Sequence, residues 1–300
     1  MSYQECFEPV CSEVSGLLDL EIRPKMKDLG DFSVRRVLPS RQRQMVGPFI
    51  FFDHMGPAEF PPGQGIQVRP HPHIGIATIT YLFEGEIMHR DSLGYELPIT
   101  AGAVNLMTAG KGIVHSERAG SDLDELAKLH GIQSWIALPE DKEEMEPAFD
   151  HTPAADLPEI LQDGAVIRII IGTAYGHTSP VTAYAPTLYL DCKLNAGAEV
   201  TLPDNCEELA FYVVSGEVSC NGRLAAEGVM LVAVPSASLT IKAREDSRVM
   251  VVGGASPGER HIWWNFVSSS PQRIEQAKAL WAAGGFDRVQ RDAESIPLPG

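Results

Sequence analysis

The sequence predicts an all-β protein made of two successive barrel- or sandwich-like blocks, with one short helix near its C-terminus. Three observations point there. From about residue 32, short runs rich in Val, Ile, Thr, Tyr and Phe are separated by Gly, Pro, Asp and Asn at intervals of roughly 8–12 residues, the texture of a strand meander. A second block of the same texture follows an acidic, proline-containing stretch at 140–158 and echoes the first: Tyr81-Leu82-Phe83-Glu84-Gly85-Glu86 resembles Tyr212-Val213-Val214-Ser215-Gly216-Glu217, and Gly102 with the strand after it resembles Gly228-Val229-Met230-Leu231. Clear helical signals gather only at 270–285, where Ser270 suits an N-cap, Pro271 the first helical position, and Ile274, Ala277, Leu280 and Trp281 an apolar stripe ended by Gly284-Gly285.

In chain order, residues 1–30 carry no placeable pattern. Phe49-Ile50-Phe51-Phe52 predicts a buried strand, and the Pro/Gly-rich residues 57–65 a loop. The β-branched and aromatic run at 78–83 predicts a core strand ending at Glu84-Gly85, with a new strand from Glu86 to Asp91. Residues 104–107 form the next strand, 121–130 a short helical turn, and 131–139 a return to strand. The acidic stretch at 140–158 is taken as the linker, dividing the chain into 1–145 and 146–300. Strands at 166–171, 188–194, 209–214, 229–234, 238–243 and 248–252 build the second block, and the last dozen residues read as a loosely packed tail.

Composition narrows the function. A net charge of −16 with no basic patch argues against a nucleic-acid partner. No segment has the roughly 20 apolar residues of a membrane span, and residues 1–20, which include Glu5, Glu8, Glu13 and Asp19, do not resemble a signal peptide. Five cysteines (Cys6, Cys11, Cys192, Cys206, Cys220) without CxxC spacing suggest reduced thiols in a cytoplasmic protein; Cys6 and Cys11 read as two surface cysteines, with a redox pair as the alternative.

The chemistry concentrates in 65–117. His71 and His73 stand at i, i+2, and so do His115 and Glu117, so each pair shares one face of a strand. Either pair alone is a weak signal. Together, on neighbouring strands of a small barrel, they offer three imidazoles and a carboxylate to one ion. That set suits Fe(II), Mn(II), Ni(II), Cu(II) or Zn(II) and suits Ca(II) or Mg(II) poorly, and on an octahedral ion it leaves two positions for water, dioxygen or substrate. His89 and Asp91 share the spacing but read as a polar face or pocket rim; His54 is placed at a strand end near the site or as a loop anchor. His130, His151, His177 and His261 lack partner spacing and read as structural. Carrying the internal echo back to the ligands puts Leu202, Asp204, Ile241 and Ala243 in their places, so the second block is expected to hold no metal.

These motifs resemble the pirins, bicupins of the cupin superfamily. The resemblance rests on Gly65-x5-His71-x-His73, Tyr81-Leu82-Phe83-Glu84-Gly85, the run from Met107-Thr108-Ala109-Gly110 to His115-Ser116-Glu117, and Arg260-His261-Ile262-Trp263-Trp264-Asn265-Phe266-Val267. It implies two packed cupin (jelly-roll-type) barrels, with iron, as Fe(II), in the N-terminal one and Cu, Mn, Ni or Zn as alternatives. His71, His73, His115 and Glu117 fall on the family's ligand positions. It further implies quercetin 2,3-dioxygenase-type activity, in which Glu117 takes the 3-hydroxyl proton of a flavonol and dioxygen opens the ring with release of carbon monoxide. Other pirins imply an alternative: a non-catalytic, iron-dependent regulator that binds a protein partner. The chain departs from its relatives at Ala77, where the cupin motif has glutamate, at Ile74, where many pirins have arginine, and at Leu106, where bacterial members tend to have tryptophan. The last two are expected to alter the pocket lining.

Overall fold

The computed structural model describes residues 9–28, 30 and 32–300; Cys6 lies outside them, so its pairing with Cys11 is not addressed. Two β-barrels pack against each other, with a helix at Pro271–Ala282 near the C-terminal end. In the first barrel, hydrogen-bonded neighbours run Ala148–Thr152, Val104–Thr108, Ile76–Asp91, Ala127–Ala137, Phe49–Phe60, Ser33–Leu38 and Lys25–Asp28. The strand Ile113–Ala119 joins Gln67–His73 to the far end of Ile76–Asp91. The second barrel is an eight-stranded sheet closed by a four-stranded one.

Several local expectations change, each because a distant partner outweighs local pattern. Leu18, Leu20 and Ile22 are buried on the strand Leu18–Arg23, which pairs with Met230–Ala233, so residues before the first barrel complete the second sheet. The strand from Phe49 continues through Phe60, across residues expected to form a loop. The turn expected at Glu84-Gly85 is a bend within one 16-residue strand, Ile76–Asp91. Gly85 makes the bend possible: its φ is +91°, and a Cβ there would lie 1.8 Å from the Lys128 carbonyl oxygen. Residues 127–130, expected as helical, begin the strand Ala127–Ala137, whose pairing on both sides overrides local helix propensity. The expected linker contains Ala148–Thr152, an edge strand on Val104–Thr108.

Hydrophobic burial divides into two interiors and a junction. Leu202, Ile241 and Ala243 are buried in the second barrel's closed apolar interior, while Asp204 is exposed. At the positions that correspond to the ligands that barrel thus has three buried apolar side chains and one exposed carboxylate. Between the barrels, Phe49 and Tyr189 meet edge-to-face at 5.3 Å and Phe52 and Tyr212 at 5.1 Å. His54 belongs to this junction and not to the metal candidates: its Nδ1 is 2.8 Å from the Tyr212 hydroxyl and its Nε2 is 2.8 Å from His130 Nε2.

Ser270 precedes the helix in an extended conformation, but its hydroxyl donates to Gln272 and caps no backbone N–H. Ile274 and Ala277 are buried, whereas Leu280 is exposed. The tail is fastened, not loose. Arg118 holds Asp292 through two hydrogen bonds of 2.9 and 2.7 Å and Glu294 through one of 2.9 Å, and the Ile296 N–H donates to the Pro70 carbonyl at 2.9 Å. Cys11, Cys192, Cys206 and Cys220 are free thiols, and no helix among the described residues is long and apolar enough to cross a membrane.

Candidate metal centre

Strand register builds the site. On Ile113–Ala119, Ile113 stands opposite His73 and His115 opposite His71. Opposed residues share a face, and the two-residue period places His73 on that face with His71. The ligand atoms of His71, His73 and His115 lie within 4.8 Å of one another, and His73 Nε2 is 3.1 Å from His115 Nε2. Two nitrogens bound at right angles to one ion, each at about 2.1 Å, would stand about 3.0 Å apart.

Hydrogen bonds set which nitrogen is available. His71 Nδ1 donates to the Arg69 carbonyl at 2.9 Å and His73 Nδ1 to the Asn265 carbonyl at 3.2 Å, so each Nε2 carries the lone pair. Burial holds all three imidazoles neutral: His71 is lowered to about 4, and His73 and His115 fall well below the usual histidine range. Neutral imidazoles crowded with Nε2 atoms converging are a donor set for a cation.

Glu117 is also buried, and its Oε1 accepts a 2.7 Å hydrogen bond from Gln133 Nε2. It stands outside the three-histidine group. Burial raises its pKa to about 7 against the lowering effect of the Gln133 bond. A neighbouring cation would favour its ionised form. The residues present therefore fit a divalent transition metal held by His71, His73 and His115, whereas Glu117 lies outside that converging set.

The site opens on a cavity of about 390 Å³ that includes His71, Glu117 and Gln133 in its wall. Its aromatic side is Trp135 stacked on Phe51, ring centres 4.0 Å apart and nearly parallel, with Trp264 also in the wall. Arg36 lies over Phe51 at 4.4 Å and binds Asp53 through two hydrogen bonds of 2.8 and 2.7 Å. A larger cavity, about 810 Å³, lies beneath the C-terminal tail and touches Pro70 and Val114, but none of the four candidate ligands lines it, whereas His71 and Glu117 line the smaller one.

Other sequence-level assignments shift. Ile74 and Leu106 are buried in apolar clusters and do not line the cavity, so their departures from related sequences do not act there directly. His89 and Asp91 are not a polar rim: they are 2% and 1% exposed, and they face Glu117 and His115 across the strand pair. Sequence reasoning missed Gln133, Arg36, Asp53 and the Asn265 carbonyl. Gln133 and Trp135 sit at i, i+2 on one strand, a spacing that could have flagged both; the Asn265 carbonyl comes from a segment 192 residues away and leaves no local trace.

A family model described as Pirin matches residues 31–136, and one described as the Pirin C-terminal cupin domain matches residues 189–287. A pirin-like protein of Caulobacter vibrioides is 47% identical over 287 residues, spanning 94% of this chain and 100% of that protein. The crystal structure of quercetin 2,3-dioxygenase from Acinetobacter baumannii is similar with a TM-score of 0.87 at 34% identity, covering 93% of this chain and 94% of that one. A bacterial pirin from Escherichia coli, solved in complex with nickel(II), shares the fold at 21% identity, with a TM-score of 0.62 over 78% of this chain and 96% of that chain.

Proposed function

This chain belongs to the pirin family, and on that footing we propose that it is a metal-dependent flavonol 2,3-dioxygenase. His71, His73, His115 and Glu117 hold a single transition-metal ion, Fe(II) first and Cu, Mn, Ni or Zn as alternatives. The observation that carries the reading is the convergence of three buried, neutral imidazoles beside a protonatable carboxyl at the wall of an aromatic cavity. The similarity to the Acinetobacter quercetin 2,3-dioxygenase supports the substrate class.

The chain's own groups have definable tasks. The stacked Trp135 and Phe51 rings give a flat apolar wall for a planar polyphenol, and about 390 Å³ lies within the range of small-molecule pockets, roughly 300–1,000 Å³. Gln133 fixes one oxygen of Glu117, leaving the carboxyl to receive the flavonol 3-hydroxyl proton. Burial puts its pKa near 7 when no ion is bound, and a bound cation would favour the carboxylate, the form that accepts the proton. When bound, the ion supplies Lewis acidity toward the substrate oxygen and an electron path between flavonol and dioxygen. Overall, quercetin and dioxygen become the ring-opened ester and carbon monoxide.

Aerobic assay of protein loaded with Fe(II), and in parallel with Cu, Mn or Ni, tests this through disappearance of flavonol absorbance. His73→Ala and Glu117→Gln should abolish the loss. Unchanged absorbance with all four metals overturns the dioxygenase reading.

A further inference from the structure

Each histidine that binds a metal through Nε2 carries a proton on Nδ1, and that proton needs an acceptor. Two of the three have one in the Arg69 and Asn265 carbonyls. The third does not: His115 Nδ1 is buried with no hydrogen-bond partner. The groups nearest it on the neighbouring strand are not inert packing residues.

Asp91 stands opposite His115, and His89 opposite Glu117, so all four side chains project to the same interior face. Asp91 Oδ2 is 3.0 Å from His89 Nε2, with the two side chains 0% and 3% exposed. Its Oδ1 accepts the backbone N–H groups of Leu93 and Tyr95 at 2.9 and 3.1 Å. A carboxylate anchored this way acts as an acceptor, so His89 carries its proton on Nε2 and keeps its lone pair on Nδ1. Stacking on Phe149 at 4.6 Å fixes the ring plane. The His89 and His115 ring centres are 5.4 Å apart; for comparison, His73 and His115, with nitrogens 3.1 Å apart, have centres 5.0 Å apart.

We infer that His89, oriented by Asp91, is the positioning residue for His115: its Nδ1 accepts the His115 Nδ1 proton and so keeps His115 Nε2 directed at the metal position. The chain Asp91–His89–His115 thus does for the third ligand what main-chain carbonyls do for the other two. The inference rests on the metal reading above only for the identity of what His115 binds. His89 touches neither substrate nor metal in this arrangement.

Asp91→Asn is the informative variant. The amide oxygen still accepts the Leu93 and Tyr95 N–H groups, but the amide nitrogen donates to His89 Nε2. The proton of His89 then moves to Nδ1, and two N–H groups face each other between His89 and His115. The variant should bind metal about 10–100-fold more weakly by chelator competition. His89→Ala should show a similar loss, and His89→Gln, which retains an acceptor oxygen, should recover much of it. Nitrogen-15 spectra of the imidazoles supply a readout that a packing role would not move: wild-type His89 protonated on Nε2, and protonated on Nδ1 in Asp91→Asn, with His71 and His73 unchanged.

Wild-type metal affinity in Asp91→Asn, or a wild-type His89 protonated on Nδ1, overturns the inference. Should the wild-type protein bind no metal at all, the metal reading fails, and the His89 tautomer in metal-free protein still decides this one.

Discussion

His54 offers the most quantitative test of how the two barrels are joined. It is 0% exposed, lies between the Tyr212 hydroxyl of the second barrel and His130 of the first, and is lowered from 6.5 to about 2, chiefly by burial and secondarily by the Arg35 charge. In the unfolded chain it protonates near 6.5. Below that pH the unfolded state therefore binds a proton that the folded state refuses, and stability falls as the medium becomes more acidic. At about pH 4.5, two units below 6.5, this single group should have withdrawn roughly 3 kcal/mol. His54→Gln removes the titration and keeps a polar group for Tyr212. Above pH 7.5 the variant should be less stable than wild type by roughly 1–3 kcal/mol, the cost of disturbed buried hydrogen bonds. By about pH 4.5 the gap should close by roughly 3 kcal/mol, or invert. Urea unfolding of metal-free wild type and variant across that range measures the gap directly. A gap that stays constant with pH would refute the burial of a neutral His54 at the junction.

The other expectations concern the cavity and its surroundings. Trp135→Ala removes a 7%-exposed ring stacked on Phe51, so stability should fall by about 3–5 kcal/mol and flavonol KM should rise; an unchanged KM would place the substrate elsewhere. Arg118→Ala cuts the bonds to Asp292 and Glu294, so amide exchange across 290–297 should quicken by at least about tenfold, equivalent to about 1.4 kcal/mol, without loss of the barrel core's protection. Gly85→Ala sets a Cβ 1.8 Å from the Lys128 carbonyl oxygen at a φ of +91°, so it should cost well over 1 kcal/mol and lower the thermal midpoint; a neutral effect would mean that the bend is not held as described.

The convergence of His71, His73 and His115 was legible because strand geometry converts an i, i+2 spacing directly into a shared face, whereas that spacing did not say how near Glu117 comes to them. Glycine punctuation likewise exposed the strand-rich texture, and the internal echo picked out the positions of the second barrel, Leu202, Asp204, Ile241 and Ala243, that correspond to the ligands, three of them buried in its apolar cluster. What escaped depends on partners far away in sequence. Gly85 looks like a turn until Lys128 and Leu129 are placed beside it, and residues 127–130 look helical until two strands claim them. His89 and Asp91 looked like a polar face or pocket rim because their spacing says which residues share a face, but not whether that face points inward; only the register with His115 and Glu117 fixes that. The tail read as loose because its acidic residues gave no hint of Arg118, more than 170 residues earlier.

The central claim is one transition-metal ion on the three converging imidazoles of the first barrel. Anomalous diffraction from Fe(II)-loaded crystals, collected on either side of the iron edge, tests it most directly. The expected map has one strong peak, about 2.1 Å from the Nε2 atoms of His71, His73 and His115 and within coordinating reach of Glu117. No peak there, or a single strong peak bound by other residues, would contradict it.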